Sequence, residues 1–330
     1  MRNSAQRQRV TYANRRPHNS LLFEIAASVV LILFISVAMT GCASKVSFPS
    51  ETIPQSIETL CKKHYDMDVA ARVSGQTIGV MSYVDRLVDE TGKIDQEVIR
   101  KTIGDMILTI TRVALSTDIK IRFEVVVIRG IQDLNEIRIT RNLEDIKKAQ
   151  TEALSVEESL SRTLWEQSRY RPDIIDPDYF PLQDISMETF FEKQIVQRVR
   201  FAAQTKSDDG ASFLPSELVE GRFSSSPTGG NVFEFSIVSF ESAAPEVNVL
   251  KVLRVINDVF KGYDFKGYDL IVIKDLLGRK MLVVDVEMLT QFQQNQLNED
   301  DIMRLGFKDD FSESDRLRNA LEMFGFNFQS

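Results

Sequence analysis

Residues 125–159 read VVVIRGIQDLNEIRITRNLEDIKKAQTEALSVEES, and residues 268–302 read YDLIVIKDLLGRKMLVVDVEMLTQFQQNQLNEDDI. The two stretches align without a gap, so that Val125 matches Tyr268, Ser159 matches Ile302, and every position between them keeps the same offset. Each contains two apolar, strand-like runs about a turn and then changes to helical spacing, which predicts strand, turn, strand and helix. The chain therefore contains an internal repeat, and this repeat decides the fold.

The turns of the two copies are predicted at Asn135-Glu136 and Gly278-Arg279, because asparagine and glycine tolerate a positive φ. Each copy continues into a further helix that starts with a polar residue followed three residues later by an acid: Ser155 with Glu158, and Asn298 with Asp301. This pattern is typical of helix N-caps. The acidic clusters at these two places therefore need no catalytic explanation.

An amphipathic helix is predicted upstream of each copy, in residues 95–115 and 245–260. Apolar residues follow the spacing 0, 3, 4, 7, 10 and 11 in both: Ile103, Met106, Ile107, Ile110, Val113 and Ala114 in the first, and Val249, Val252, Leu253, Ile256, Val259 and Phe260 in the second. This spacing places the six side chains on one face of a helix. A further helix and two strand-like runs precede each of these helices.

The repeating unit is therefore α-ββ-α-ββ-α, and the fold class is α+β with two tandem modules, each an antiparallel sheet packed against helices. The predicted boundaries are a lipoprotein signal peptide at 1–41, a tether at 42–51, the first module at 52–166, a proline-rich linker at 167–185, the second module at 186–307, and a C-terminal amphipathic helix and tail at 308–330. Tyr170, Tyr179 and Phe180 of the linker are expected to pack against a module. The C-terminal segment is expected to cover the core of the second module.

The first 41 residues have the layout of an export signal. Five arginines and no acid precede Glu24, and an apolar run then extends from Ile25 to Met39. This run is shorter than the roughly 20 residues that a transmembrane helix needs, which favours a cleaved signal peptide. The alternative is an uncleaved signal anchor, which would place Glu24 inside the lipid at a large energetic penalty.

The apolar run ends in Met39-Thr40-Gly41-Cys42, which resembles the lipobox of bacterial lipoproteins. The resemblance implies cleavage between Gly41 and Cys42 and acylation of Cys42, with a diacylglycerol thioether and usually a third, amide-linked chain such as palmitate. Two or more acyl chains anchor a protein stably to a membrane. The resemblance thus implies a cell-envelope lipoprotein that faces the periplasm, and the absence of an aspartate at Ala43-Ser44 favours the outer membrane.

The charge of the processed chain excludes some partners. Removal of the first 41 residues takes five basic residues and one acidic residue from totals of 40 and 48, which leaves 35 and 47 and a net charge of −12. Nucleic acid and anionic membrane surfaces would repel such a chain. We therefore expect no nucleic-acid partner, and a membrane contact made through the lipid on Cys42.

The remaining cysteine and histidine predict no metal or cofactor site. With Cys42 acylated, only Cys61 is left, so no disulfide can form within the chain. Cys61 shares a predicted helix face with Ile57, Leu60 and His64, which indicates a buried thiol. A metal pair of Cys61 and His64 is the alternative, but the sequence offers no matching cysteine or histidine ligands elsewhere.

The sequence also predicts no catalytic residue. His64 is the only histidine after residue 41, and the phosphate-binding, zinc-protease and dinucleotide motifs do not occur. Asp133 and Asp275, beside the two predicted hairpin turns, are the remaining candidates for a shared polar role. Stabilisation of the turns by a short side chain is the preferred interpretation of both.

These observations predict a lipid-anchored, non-catalytic binding or scaffold component of the bacterial cell envelope. Its partner would be another envelope protein or a cell-wall component, bound by the duplicated sheets, whose hairpin edges can pair with an extended segment. The alternative is a lipid-anchored hydrolase or solute-binding protein with a site between the two modules, where ligand pockets often form. An enclosed pocket with convergent acids or aromatic residues at the module junction would favour this alternative.

We predict that Cys42 is the acylated amino terminus of the mature protein. Cells fed a labelled fatty acid should label the wild-type protein, and the variant Cys42→Ala should lose the label because it lacks the thiol. The variant Cys61→Ala is the matched control and should keep the label. Labelling of Cys42→Ala at the wild-type level would contradict the prediction.

Overall fold

The computed structural model describes residues 48–89, 94–95, 97–171, 180–204, 219–226, 230–238, 245–276 and 278–308. The predicted signal peptide, its cleavage site at Gly41 and Cys42, residues 172–179 of the predicted linker and residues 309–330 of the predicted C-terminal segment lie outside these residues. The described residues belong to one compact unit.

The first module contains four helices and five strands. In chain order these are α1 (Ile53–Tyr65), β1 (Ala70–Ser74), β2 (Thr77–Val84), α2 (Gly104–Leu115), β3 (Phe123–Gly130), β4 (Asn135–Asn142), α3 (Leu143–Gln150), α4 (Val156–Ser161) and β5 (Leu164–Arg169). A short 3-10 turn, Ser50–Thr52, precedes α1, and a π-helical turn, Val98–Ile103, leads into α2. The strands form one sheet in the order β1-β2-β3-β4-β5.

The second module repeats this element order. Its elements are α5 (Met187–Gln204), β6 (Val219–Ser226), β7 (Gly230–Ile237), α6 (Pro245–Tyr263), β8 (Leu270–Asp275), β9 (Lys280–Asp285), α7 (Val286–Gln293), α8 (Glu299–Gly306) and β10 (Phe307–Lys308). Its sheet has the corresponding order β10-β9-β8-β7-β6. The predicted α+β class with two tandem modules is confirmed.

The prediction of antiparallel sheets is wrong, because both sheets are mixed. β2 pairs with β3 in parallel, and β7 pairs with β8 in parallel, whereas the other neighbours are antiparallel. The helix between each parallel pair carries the chain back to the starting end of the sheet, as parallel pairing requires. The sequence analysis also missed the last strand of each module, β5 and β10.

The predicted turn of the first hairpin is also wrong. Arg129 pairs with Glu136, so the turn comprises residues 131–134, and Asn135 already belongs to β4. In the second hairpin Asp275 pairs with Lys280, which leaves Gly278 in the turn as predicted.

The gapless alignment therefore holds only downstream of the hairpins. It correctly matches Asn142 with Asp285, which are the N-caps of α3 and α7. The strand residues paired with these caps are Phe123 and Leu270, whereas the alignment would match Phe123 with Lys266. The difference arises because the strands of the first hairpin have eight residues and those of the second have six.

The predicted helix starts and helix faces are confirmed. Ser155 accepts a hydrogen bond from the Glu158 N–H at 3.1 Å, and Asn298 accepts one from the Asp301 N–H at 2.9 Å. The predicted stripes of α2 and α6 face the two cores, and of their twelve residues only Ile107 is not fully buried. Local sequence therefore determines these helices and the side that each of them buries.

A segment of the predicted linker covers the outer face of the first sheet. Phe180 is fully buried against Met81, Val125 and Val127, and Tyr170 is nearly buried as well. The segment lies so close to β2 that a Cβ atom at Gly79 would meet Phe180 at 2.7 Å. The expected packing of Tyr170 and Phe180 is confirmed, whereas Tyr179 lies outside the described residues.

The two modules share one interface with an apolar part and a polar part. In the apolar part, the rings of Phe123 and Phe190 lie 5.0 Å apart, and Leu164 joins the core of the second module. In the polar part, the Arg162 guanidinium donates to Asp145 at 2.9 Å and lies over the Tyr263 ring at 4.6 Å. We call Asp145, Glu158, Arg162, Gln194, Arg198 and Tyr263 the junction network.

The rest of the junction network joins helices of both modules. The hydroxyl of Tyr263 donates to Asp145, and the side chain of Gln194 donates to the Arg162 carbonyl at 2.9 Å. Arg198 donates to Glu158 at 3.2 Å. Burial, followed by the adjacent Asp145, raises the pKa of Tyr263 above its ordinary value. Because buried charges are stable only when paired, the network holds α5 and α6 on the first module in one orientation.

We predict that Arg162→Met lowers the free energy of unfolding by about 3–5 kcal/mol, because it leaves the buried carboxylate of Asp145 without its cation. The matched control is Arg254→Met, which removes an ion pair to Glu299 whose side chains are 54% and 32% exposed. This control variant should lower the free energy of unfolding by no more than about 1 kcal/mol. Urea titration of the purified protein measures both values, and equal losses would show that the junction network does not stabilise the fold.

Candidate functional site

The two candidate aspartates stabilise turns in different sheets. Asp133 accepts hydrogen bonds from the N–H groups of Leu87 and Val88, each at 2.8 Å, and from that of Asn135 at 3.1 Å. Burial raises the pKa of Asp133, but these donors outweigh it and hold the pKa below its ordinary value. Asp275 accepts from the Gly278 N–H at 2.9 Å. Asp133 therefore joins its hairpin to the loop after β2, Asp275 stabilises its own turn, and the structure does not bring the two residues together.

Cys61 and His64, the alternative metal pair, lie in different environments. Cys61 is fully buried in the first core, and this burial raises the pKa of its thiol. His64 lies one turn further along α1 on the surface. Within the described ranges, no three histidine, cysteine or acidic side chains converge in a way that could hold a metal ion.

A groove lies on the helical side of the first module. It has a volume of about 790 Å³ and lies between α1, α2 and α3. Its walls are mainly apolar and include Leu60, Tyr65, Leu108, Leu115 and Ile146. We call it the helical groove. Its volume is in the range typical of ligand-binding pockets.

The polar residues of the helical groove are basic or neutral. His64, Arg112 and Arg141 line it together with Thr111 and Gln150, and no acid occurs among the described lining residues. Leu108 is 63% exposed, and Leu115, two helical turns further along α2, is 37% exposed, so the groove presents apolar surface to solvent. In a chain with a net charge of −8, this surface favours a partner with apolar groups and a negative charge.

A buried carboxylate lies beneath the helical groove. Glu124 is 1% exposed, and its oxygens accept a hydrogen bond from the Thr111 hydroxyl at 2.8 Å and an ion pair from Arg141 at 2.9 Å. Burial raises the pKa of Glu124 to about 7, although Arg141 and Thr111 act in the opposite direction. Thr111 and Arg141 line the groove as well, so they connect the carboxylate to its surface.

The strand geometry explains how Glu124 reaches this position. Side chains alternate along β3, so Val125 and Val127 face the outer side of the sheet and Val126 and Ile128 face the helices. Glu124 shares the helix-facing side, where Arg141 is its direct cross-strand neighbour. Thr111 approaches from α2 above the sheet. The three residues thus come from three elements that only the tertiary fold brings together.

The second module lacks this cluster. Relative to the N-caps of α3 and α7, the cross-strand pair Glu124 and Arg141 corresponds to Ile271 and Val284, which are also direct neighbours. Both residues are fully buried in the second core. The same fold is therefore built with two apolar residues at these positions, and such a replacement of a buried ion pair is often neutral or stabilising. The fold does not require the Glu124 cluster.

The groove positions have also changed in the second module. Leu108 corresponds along the helix stripe to Arg254, which donates to Glu299 at 2.5 and 2.6 Å. Ala149 corresponds to Phe292, which packs against the second core. A charged pair and a large ring therefore occupy positions that are apolar, small or exposed in the first module. The exposed apolar surface is a property of the first module and not of the repeat.

A second, smaller hollow lies at the module junction. It has a volume of about 460 Å³ and lies over α5 between the edge strands β5 and β6. Trp165 and Phe201 line it with 37% and 58% of their surfaces exposed, and Glu166, paired with Lys193 at 2.7 Å, lies beside them. Aromatic and acidic side chains at this place are what the alternative function predicts.

Side chains of the helices accept hydrogen bonds from backbone N–H groups on the sheet edges. Glu58 of α1 accepts from the Ala71 N–H at 3.0 Å on edge strand β1, and Glu192, the corresponding residue of α5, accepts from the Phe223 N–H at 3.1 Å on edge strand β6. Gln197 accepts from the Trp165 N–H of edge strand β5 at 2.8 Å. These contacts oppose pairing of the edges with another strand.

Comparison with protein-family models, with curated proteins and with solved structures finds no match to this chain. In the part of the chain that the structure describes, no helix has both the length and the apolar composition needed to cross a bilayer.

The sequence analysis missed the Glu124 cluster, although one signal for it is present. Glu124 is a single acid beside the apolar run Val125–Ile128, whereas the corresponding residue of the second module, Ile271, is apolar. The gapless alignment hid this difference, because its offset matches Glu124 with Gly267 and not with Ile271. Thr111 and Arg141 carry no local signal of their own.

We predict that ionisation of Glu124 destabilises the fold as the pH rises. The folded-state pKa of about 7 lies above the ordinary value of 4.5, so the protonated form is favoured in the folded protein. Protonated Glu124 therefore makes its full contribution to the unfolding free energy below pH 4.5. This contribution decreases as the pH rises from 4.5 to 7, by up to about 3 kcal/mol at 1.36 kcal/mol per pKa unit.

The variant Glu124→Gln removes this titration and should gain stability relative to the wild type over the same interval. Urea unfolding of both proteins at pH 4.5, 6 and 8 measures the difference, in which all other titrating groups cancel. A difference in unfolding free energy that stays constant with pH would contradict the prediction.

Proposed function

We propose that the protein is a lipid-anchored, non-catalytic binding or scaffold component of the bacterial cell envelope that holds a protein partner in the helical groove of its first module. The single observation that carries this proposal is the contrast between the two modules. One fold occurs twice in the chain, and only the first copy has an exposed apolar groove above a buried ionisable cluster among the residues that the structure describes.

The amino-terminal sequence supports the cellular location in this proposal. The short apolar run and the tetrad Met39-Thr40-Gly41-Cys42 favour export, cleavage and acylation of Cys42. Acyl chains on Cys42 would hold the modules close to the membrane, with the outer membrane favoured by Ala43-Ser44. The net charge of −12 after removal of the signal keeps the rest of the chain off anionic lipid surfaces.

The roles of the polar residues support binding over catalysis. Asp133 and Asp275 accept backbone N–H groups of turns and loops, and Cys61 is buried in the core. Glu124 lies beneath the groove, where its oxygens bind Thr111 and Arg141. A catalytic acid or base must come within hydrogen-bond distance of its substrate. The exposed groups of the groove are instead leucine, tyrosine, histidine and arginine side chains, which are the kinds of groups that bind a partner.

The helical groove is also a better binding surface than the sheet edges that the sequence analysis favoured. Side chains of α1 and α5 already accept N–H groups of three edge strands, so an incoming strand would have to displace them. The groove needs no such displacement. Exposed apolar residues two helical turns apart suit recognition of a partner helix, which is bound through side chains.

The second candidate is a solute-binding protein or hydrolase with a site in the hollow at the module junction. The exposed rings of Trp165 and Phe201 next to Glu166 favour it. Aromatic faces combined with acids suit a polar cell-wall component, and domain interfaces commonly carry such sites. The experiment that follows distinguishes the two surfaces.

We predict that a photo-crosslinking amino acid at Leu108 captures a protein in living cells. The same amino acid at Val247, which is 46% exposed on α6, is the matched control and should capture little. Substitution at these two exposed positions leaves the core intact. Immunoblots of irradiated envelopes measure the adducts.

A third position, Trp165, reports on the hollow at the junction. Adducts at Leu108 alone support the proposal. Adducts at Trp165 with none at Leu108 would favour the second candidate, and equal adducts at Leu108 and Val247 would contradict a specific surface.

A further inference from the structure

The junction between the modules shows how one copy of this fold docks on another. The first module contributes α3 and α4 through Asp145, Glu158 and Arg162, and we call this its tail face. The second module contributes α5 and α6 through Gln194, Arg198 and Tyr263, and we call this its head face. The two faces differ, so the contact is heterologous and can in principle repeat.

Among the residues that the structure describes, two modules with one such junction leave one face of each kind without a neighbouring module. The remaining tail face lies on α7 and α8 of the second module, where the gapless alignment matches Met288, Asp301 and Leu305 with Asp145, Glu158 and Arg162. Leu305 is 58% exposed, whereas Arg162 is 8% exposed in the junction. The second module thus presents a leucine where the first presents its buried arginine.

The remaining head face lies on α1 of the first module. Counted from the first residues of α1 and α5, Leu60 and His64 correspond to Gln194 and Arg198. Tyr263 has no counterpart within α2, which ends at Leu115; the position that corresponds by count, Thr117, lies beyond the helix and forms a bridge with Phe48. Leu60 and His64 also line the helical groove, so the head face and the groove adjoin.

The central residues of the two remaining faces have changed together. In the junction, Asp145 and Arg162 meet Gln194 and Tyr263 in a buried polar network. On the remaining faces, Met288 and Leu305 take the places of Asp145 and Arg162, and Leu60 takes the place of Gln194. Replacement of one polar partner alone would leave the other unsatisfied, whereas replacement of both by apolar groups keeps an interface stable. The matched change indicates that the two faces fit each other.

The charges around this centre are complementary as well. Glu158 meets Arg198 at 3.2 Å in the junction, and Asp301 and His64 hold the corresponding positions on the remaining faces. The first turn of α8 carries three acids, Glu299–Asp301, and the last turn of α1 carries Lys62, Lys63 and His64. Opposite charges at the rim favour this pairing over contacts between two like faces.

We propose that the protein associates with itself head to tail, with the tail face on α7 and α8 of one copy docked on the head face of the first module of the next copy. The inference rests on the proposed function, because it names a second copy of this chain as the partner bound at the helical side of the first module. A heterologous contact of this kind adds copies in a row and does not stop at a dimer unless a ring closes.

The test uses two tagged forms of the full, processed protein in detergent, one with His64→Cys and one with Leu305→Cys. Both positions are exposed, so neither variant disturbs the core, and the native Cys61 is buried. A short bismaleimide should join the two forms into a dimer that carries both tags. The matched control replaces Leu305→Cys by Val247→Cys, which lies outside the tail face and should give no such dimer.

A single chain that carries both His64→Cys and Leu305→Cys should form a ladder of dimers, trimers and larger species. In a second version of the test, the tail-face cysteine is placed at Arg304→Cys, so that Leu305 is free to be changed. Adding Leu305→Glu to this form should abolish the mixed dimer with the His64→Cys form. Absence of the mixed dimer, equal crosslinking in the Val247→Cys control, or dimers between two His64→Cys copies would each overturn head-to-tail association.

The crosslinking at Leu108 separates this inference from the proposed function. Adducts at Leu108 that have the mass of two copies support both proposals. Adducts with a different protein, together with no mixed dimer of His64→Cys and Leu305→Cys, would leave the proposed function standing and overturn self-association.

Discussion

The buried guanidinium of Arg162 is the constraint on which the arrangement of the two modules depends. Arg162 lies at the end of α4, and its guanidinium donates to Asp145 of α3 and stacks on Tyr263 of α6. The backbone carbonyl of the same residue accepts a hydrogen bond from Gln194 of α5. A buried cation is stable only when anionic and polar partners surround it. Because these partners come from both modules, the cation fixes α5 and α6 against the first module. The edge strands β5 and β6 are thereby placed on either side of α5.

Duplication of the module makes the differences between its two copies informative. Both copies bury the same helix stripes, cap the same helices and pair their strands in the same order. At one cross-strand position the first copy has Glu124 and Arg141, and the second has Ile271 and Val284. A buried carboxylate carries a desolvation penalty that the apolar pair avoids. The carboxylate of Glu124 lies beneath an exposed groove, which supports a role in binding. The fold itself does not need this carboxylate, because the second module forms the same fold with an apolar pair.

The same comparison explains why the helical side of the first module is open. The corresponding side of the second module is covered by α4 and its neighbours through Glu158 and Arg162. In the described part of the chain no module packs on α1 of the first module, where His64 is exposed and Leu60 is partly exposed. In stacked repeats the terminal units carry surfaces that inner units bury, and these surfaces must be polar or find a partner. The exposed leucines of this side favour a partner.

The sequence by itself determined the helices, their buried stripes, the caps at Ser155 and Asn298, and the presence of two α+β modules. These features depend on residues a few positions apart, so spacing and residue type are sufficient to predict them. The parallel pairing of β2 with β3 and the closure of each sheet by a fifth strand were decided only in the tertiary structure, because each depends on where an intervening helix carries the chain. The same holds for the site. Glu124, Thr111 and Arg141 belong to three elements, and only the packing of α2 on the sheet brings them within hydrogen-bond distance.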